Sequence, residues 1–500
     1  MQLTVRRAIP IRLATSPRIS VTSAVAATMG LALFLRLVHL GQLSFWSDEI
    51  ISITRSQAGW SFQLHMLTYE SILRLWMGLG ESEAVVRMLS VLFGVAAVPA
   101  MYALAARLFG VRAGIIASLL LAVNAFHIQY SQEARSYSLL VLLVILSTLL
   151  FVRGVESRST RVWAGYVLLG VLAVYSHSFG IFVLAAHAGS VPFLRRRDVP
   201  WGHLAVSWSV IAASLTPLWL SIGSGLIRAS GNAGGLSWIP ETSAKQLYSV
   251  LTTLAGGGGT PLLALSLVLV SGGLVIAATT WYSSRASWDT WKYVLPLSGL
   301  FVPIILALLI STVRPLVIPR YFIVCLPALI LVASSVIAHP RLLVNRMSAV
   351  APVIIAAALV ATSALATMSY YSDFQKEDWR GVASHVASRW QAGDGMLFYV
   401  PWMQSKFDFY SERTSGEREF QALVSQSEWK KFIFFGDEPN REAIAEYLPD
   451  DPQRVWLVLG HTNDAQRQLA KREIQAALSE EYPVTESLKF SKLKLTLYSR

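Results

Sequence analysis

The step Trp46-Ser47-Asp48-Glu49 sets two carboxylates side by side just past the first long apolar run of this 500-residue chain. Acids are otherwise scarce there, with ten Asp and Glu in the first 372 residues. A carboxylate at the edge of a membrane span costs free energy unless something uses it, so ionisable residues in such places are candidates for function. One member of the pair can serve as a general base, accepting the proton of an incoming hydroxyl or amine. The other can position the acceptor or a metal. A polar cap on a span that ends in water would look the same.

Three further groups carry possible chemistry. Ser131-Gln132-Glu133-Ala134-Arg135-Ser136-Tyr137 forms a short linker between two apolar runs. Arg135 offers a fixed fork of donors suited to a phosphate, although a local ion pair with Glu133 would also account for it. Val317-Ile318-Pro319-Arg320-Tyr321 opens a late apolar run close behind Arg314. Arg is disfavoured on that side of a membrane, so the natural partner is a lipid phosphate, with snorkelling to headgroups the plainer reading. His177 stands between Ser176 and Ser178 at a turn, where a lone His is usually structural.

The elements that must position these residues are membrane spans. The chain is 54% hydrophobic and only 14% charged, which is not the balance of a soluble protein. About eleven apolar runs approach the roughly 20 residues needed to cross a bilayer: 20–40, 84–106, 113–128, 137–152, 162–177, 179–194, 203–222, 260–281, 293–311, 317–338 and 348–369. The expected fold is therefore a membrane all-α bundle over 1–372 followed by a small soluble α/β domain over 373–500. Lys and Arg outnumber acids 25 to 10 before residue 373 and are outnumbered 17 to 20 from there on. The net charge of +12 thus belongs to the membrane part, and no nucleic-acid partner is expected. Basic residues follow every even-numbered run, as Arg107 and Arg112, or Arg195 to Arg197, illustrate. That alternation predicts a cytoplasmic N-terminus, with the acidic pair and the C-terminal domain outside the cell membrane. The first run lacks a small-residue cleavage site and reads as a retained span rather than a signal peptide. The single Cys325 excludes intramolecular disulfides.

Between the runs, residues 62–79 read as an amphipathic helix at the interface, and the glycine-rich stretch 223–259 as either a mobile cover or a connector. Beyond 372, KEDWRGVASHVASRW, NREAIAEYL and AQRQLAKREIQAAL read as helices, and GMLFYV, KKFIFFG, RVWLVLG and LKLTLYS as strands. His461 fits a helix start better than a ligand.

Two acids, several arginines, a His and tyrosines on one membrane face are what a transferase using a lipid-phosphate donor needs. A multi-span transporter or lipid flippase is the alternative, but it should show charges at mid-membrane in broken helices and related halves. The layout resembles the GT-C glycosyltransferases that use polyprenyl-phosphate sugars, in the protein mannosyltransferase and aminoarabinose transferase superfamily. Four features carry the resemblance: Asp48-Glu49, the Ser131–Tyr137 element, Pro319-Arg320-Tyr321, and the Lys376-Glu377-Asp378-Trp379-Arg380 segment that introduces the last domain. The resemblance implies an integral-membrane glycosyltransferase with Asp48 as catalytic base and Glu49 assisting. It further implies Arg135 as a donor-phosphate ligand, with Arg320 and Tyr321 completing that site. Glu133, Tyr137 and His177 are supporting candidates. The expected partners are a polyprenyl-phosphate sugar donor, a protein, lipid or glycan acceptor, and membrane lipids. No metal site is expected and no cofactor is required, although adjacent carboxylates could take Mg²⁺ or Mn²⁺.

Overall fold

The computed structural model describes residues 20–58, 64–221, 239, 241–339, 346–400, 402–415, 420, 452–460 and 465–500. The glycines from 223 to 235, His461, and the segments KKFIFFG and NREAIAEYL lie outside the described residues.

The membrane part is built from α1 (Val21–Leu37), α2 (Ser47–Gln57), α3 (Leu67–Trp76), α4 (Glu83–Phe109), α5 (Val111–Val123), α6 (Ala125–Ser131) and α7 (Tyr137–Ser157). It continues through α8 (Thr160–Ser176), α9 (Gly180–Ser190), α10 (Trp201–Ser214), α11 (Ala244–Leu254), α12 (Gly259–Ser284) and α13 (Trp288–Ser311). A 3₁₀ segment, Pro319–Cys325, then leads into α14 (Leu326–Ile337), and α15 (Arg346–Asp373) closes the series. Among the described residues six helices are long and apolar enough to cross a membrane, or seven if α5 and α6 count as one bent span. The chain is a multi-span membrane protein, with fewer full-length spans than the eleven runs in the sequence. The difference has a geometric cause. Runs 20–40 and 162–177 yield helices of 17 residues each, roughly 26 Å at 1.5 Å per residue, short of a hydrocarbon core of about 30 Å. The run 113–128 is broken by a 59° bend. Asn124 makes the bend, ending α5 in extended backbone while its side chain accepts from the His127 N–H to start α6.

Arg36 fixes α1 against this bend. It is fully buried and donates to Ser131 Oγ (3.2 Å), to the Ala122 carbonyl (3.0 Å) and toward His127 Nδ1 (2.8 Å). Gly94 on α4 faces the same spot, where a Cβ would collide with Ser131 Oγ and stand 3.0 Å from Arg36 Nε. Gly94→Val should cost about 1–3 kcal/mol by overpacking. The cost is measured as a lowered unfolding temperature in detergent, and an unshifted one would show that the contact yields freely.

After α15 the chain forms α16 (Trp379–Arg389), β1 (Asp394–Phe398), α17 (Trp402–Ser415), β2 (Arg454–Leu459), α18 (Ala465–Glu481), β3 (Val484–Phe490) and β4 (Leu493–Ser499). The sheet order is β1-β2-β4-β3, with β1 and β2 parallel and the other pairs antiparallel. β1 is buried along its whole length and β2 nearly so, which explains their continuous apolar sequences. β3 has no counterpart among the strands read from the sequence. It is an edge strand with alternating exposure and carries Glu486 and Lys489, a pattern that protects an edge but weakens the apolar signal. The helix expected from Lys376 begins later, at Trp379, because Asp378 caps it by accepting from Gly381 N–H at 2.9 Å. Residues 374–378 therefore remain a non-helical strap between α15 and the C-terminal domain.

Candidate active site

α2 owes its start to the acids themselves. Asp48 and Glu49 occupy its first turn, where negative charge is favoured by the helix dipole, and Glu49 accepts from the Trp46 N–H at 3.3 Å. Successive side chains on a helix diverge by about 100°, so the two carboxylates face different surroundings.

Glu49 points inward and is fully buried. Arg87 of α4 grips both of its oxygens, at 2.8 and 2.9 Å. Lys376 Nζ of the strap lies 2.8 Å away, and the Ala134 N–H donates at 2.9 Å. Burial alone would push this carboxyl up, but Arg87 and Lys376 outweigh it and hold the carboxyl down at about 2. Arg87 also donates to the carbonyls of Leu40, Leu43 and Ser44. The result is a knot joining the loop before α2, α4, the Glu133-Ala134 linker and the strap of the C-terminal domain. Glu49 is an anchor whose oxygens are already occupied.

Asp48 turns the other way, into a cavity of about 900 Å³. Its side chain is 22% exposed, and its Oδ2 lies 3.4 Å from Arg320 Nη2. The Arg320 guanidinium stands 5.3 Å from the centre of the Trp46 ring, which also lines the cavity. Glu133 lines the same space, with Oε1 3.9 Å from Lys376 and Oε2 buried without a hydrogen-bond partner. Burial raises its carboxyl, and Glu49 and Asp48 add to the rise against the pull of Lys376.

Arg135 is placed differently from a cavity-lining fork. Its Nη1 donates to the Asp48 carbonyl (3.0 Å) and to Ser52 Oγ (2.8 Å), so it braces the first turn of α2 from behind. Tyr137 is buried, its ring 4.8 Å from Tyr130 and 5.6 Å from His177. His177 accepts from the Phe179 N–H two residues on, and its ring lies 5.0 Å from that of Tyr321. Burial, with Arg135 nearby, holds this His down at about 3 and therefore neutral. The aromatic and His candidates thus support the wall that carries Arg320. Lys376, Lys406 and Lys492 also line the cavity. Of these, only Lys376 had a sequence signal, inside the Lys-Glu-Asp-Trp-Arg segment. Arg87 also carried a sequence signal, as an Arg at the end of an apolar run that the charge alternation predicts to face outward. Among the described residues no group of three or more His, Cys, Asp or Glu converges to hold a metal.

Glu70 of α3 lies behind this wall, with Oε1 3.7 Å from Arg55. Burial pushes its carboxyl up to about 7 against the pull of Arg55 and Arg135. A carboxyl raised on folding stabilises the protein fully below its unfolded pKa, and that stability drains away as pH climbs through the folded value. Between pH 5 and pH 8 the unfolding temperature should therefore fall more steeply for the parent protein than for Glu70→Gln. Parallel profiles would rule out this titration.

Residues 65–219 match the family described as dolichyl-phosphate-mannose-protein mannosyltransferase. No curated protein matches the chain by sequence. The fold is similar to ArnT from Cupriavidus metallidurans bound to undecaprenyl phosphate, with a TM-score of 0.60 and 15% identity, covering 96% of this chain and 98% of that one. It is also similar to the archaeal oligosaccharyltransferase AglB from Archaeoglobus fulgidus in complex with an inhibitory peptide and a dolichol-phosphate. There the TM-score is 0.57 at 12% identity, covering 93% of this chain and 72% of that one. The chain has a GT-C glycosyltransferase fold. The family match takes in α3 to α10, including Glu133, Arg135, Tyr137 and His177, while Asp48, Glu49 and Arg320 lie outside it.

Proposed function

We propose that this protein is an inverting glycosyltransferase that moves a sugar from a polyprenyl-phosphate donor to an acceptor at the extracytoplasmic face of the cell membrane. The observation that carries the reading is the approach of Asp48 to Arg320, an acid and a cation 3.4 Å apart facing one cavity. Asp48 accepts the proton of the acceptor hydroxyl or amine as its lone pair attacks the anomeric carbon. The bond from that carbon to the phosphate oxygen breaks, and its electron pair remains on the phosphate. Arg320 stabilises this charge, with Lys376 at the same cavity, an electrostatic role suited to a partly enclosed site. Glu49 and Arg135 act through α2, holding the backbone from which Asp48 projects. The sugar moves in a single displacement, which inverts the anomeric centre. Side-chain cations suffice to neutralise a single phosphate, so the reaction requires no metal. Basic residues after alternate apolar runs support the outward orientation of the site. The ligands of the neighbouring structures, undecaprenyl phosphate and dolichol-phosphate, support a lipid-phosphate donor.

The decisive experiment supplies the purified protein with polyprenyl-phosphate-linked hexoses and pentoses and follows release of polyprenyl phosphate. In parallel, mass spectrometry compares surface glycoconjugates of cells with and without the protein. Release with one donor and loss of one sugar modification are expected. Absence of both would refute the reading.

A further inference from the structure

β3 and β4 are joined by Ser491 and Lys492 alone. So tight a connection takes left-handed backbone, and Lys492 adopts φ 56°. Gly, Asn and Asp are the residues that tolerate this conformation, whereas a long side chain pays for it. A strained residue at a site is a lead to function, and here the side chain shows where to look. Lys492 lines the cavity that holds Asp48 and Arg320, 444 and 172 residues away in sequence.

The turn is held in place. Ser491 Oγ donates to the Lys376 carbonyl at 2.9 Å, and the Ser491 carbonyl accepts from the Asp378 N–H at 3.1 Å. From α17 of the same domain Lys406 reaches the cavity as well, almost fully buried, 2.7 Å from Glu377 and 5.5 Å from the centre of the Trp379 ring. The cavity is thus lined by four cations, Arg320, Lys376, Lys406 and Lys492, against three carboxylates, Asp48, Glu133 and Glu377. Arg320 is paired with Asp48, Lys376 with Glu49 and Lys406 with Glu377. Lys492 is the cation left over, since no acid within ion-pair distance of it occurs among the described residues.

We infer that the outer domain is a working wall of the active site and that Lys492, assisted by Lys406, binds a phosphate-like anionic group of a substrate in the cavity. This rests on the transferase reading above and assigns the domain a role in it. The anion belongs either to the lipid-phosphate donor or to a negatively charged acceptor.

Binding to the full-length protein in detergent tests the inference. Undecaprenyl phosphate is titrated alone, and inorganic phosphate is then titrated against protein saturated with that lipid. Lys492→Asn suits the left-handed turn and should leave the unfolding temperature unchanged or higher, which separates lost binding from lost folding. It should weaken one of the two titrations by about tenfold or more, the worth of one charge-assisted hydrogen bond. Lys492→Arg should restore it. Weakened lipid binding assigns the anion to the donor, and weakened phosphate binding alone assigns it to the acceptor. Unchanged affinities in Lys492→Asn and Lys406→Gln, or no binding of either probe to the parent, overturn the inference. If Asp48→Asn is inactive in the same preparations, the transferase reading survives that failure.

Discussion

Asp48→Asn should abolish sugar transfer, lowering the rate by about 10²–10⁴-fold, the usual contribution of a positioned general base. Asn keeps the size and polarity of the side chain but cannot take up the acceptor's proton. The first turn of α2 loses only the favourable placement of the Asp48 charge at the helix N-terminus, worth about 0.3–1 kcal/mol. Arg135 holds the backbone carbonyl of Asp48, and the knot around Glu49 is untouched. The ion pair with Arg320 is lost, but its geometry is open, at 3.4 Å with both side chains partly exposed. The loss should therefore be smaller than at a fully buried pair, and the unfolding temperature should fall far less than in Arg87→Met. Asp48→Glu provides the control: its carboxylate is displaced by one methylene, and a misplacement of about 1 Å can cost about 10²-fold. A residual rate above that of Asp48→Asn is expected. Initial rates of polyprenyl phosphate release decide the matter. An Asp48→Asn protein that works at the parent's rate would remove the base from this residue and leave Glu133, the other membrane-side acid on the cavity, to be tested.

Adjacent residues of the same chemical type mark where sequence reading runs out. Asp48 and Glu49 look equivalent in the chain, and the helical turn between them alone cannot say which faces the cavity. Partners 38 and 327 residues away, Arg87 and Lys376, decide it by claiming Glu49. Arg135 shows the same limit: its fork suits a phosphate, yet the carbonyl of Asp48 and the hydroxyl of Ser52 lie within its reach. The apolar runs made the membrane class legible because hydropathy is local. Span lengths were less so, since Asn124 looks like any polar residue until it caps a helix and bends the chain. In the C-terminal domain β1, β2 and β4 announce themselves by apolar runs, whereas β3 hides behind the charges of an edge strand. Lys492 carries no local signal at all. Its meaning comes from a backbone angle and a cavity wall that only the folded chain displays.

The Glu49 knot also explains how the C-terminal domain is held to the membrane part. Lys376 enters it from the strap, while Arg380 and Tyr410 reach the Gln42 carbonyl and Glu83 from the domain side. Arg87 is the keystone, because it neutralises Glu49 and satisfies three carbonyls at once. Arg87→Met should therefore be the most destabilising single change at this site. Removing one partner of a buried pair typically costs about 3–5 kcal/mol, and here Lys376 alone is left to compensate the buried Glu49 carboxylate. Three carbonyls lose their donor in addition. The expected readout is a large drop in unfolding temperature, together with faster protease cleavage in the strap around Phe374 to Asp378. Removing the charge as well, in Arg87→Met with Glu49→Gln, should recover part of the lost stability, because the half-compensated buried carboxylate is gone while Lys376 keeps Glu133 at 3.9 Å. That recovery is a measurable coupling between the two positions. If Arg87→Met were as stable as the parent, or if the double variant were no better than the single one, the buried ion pair would not be what holds the domain to the site.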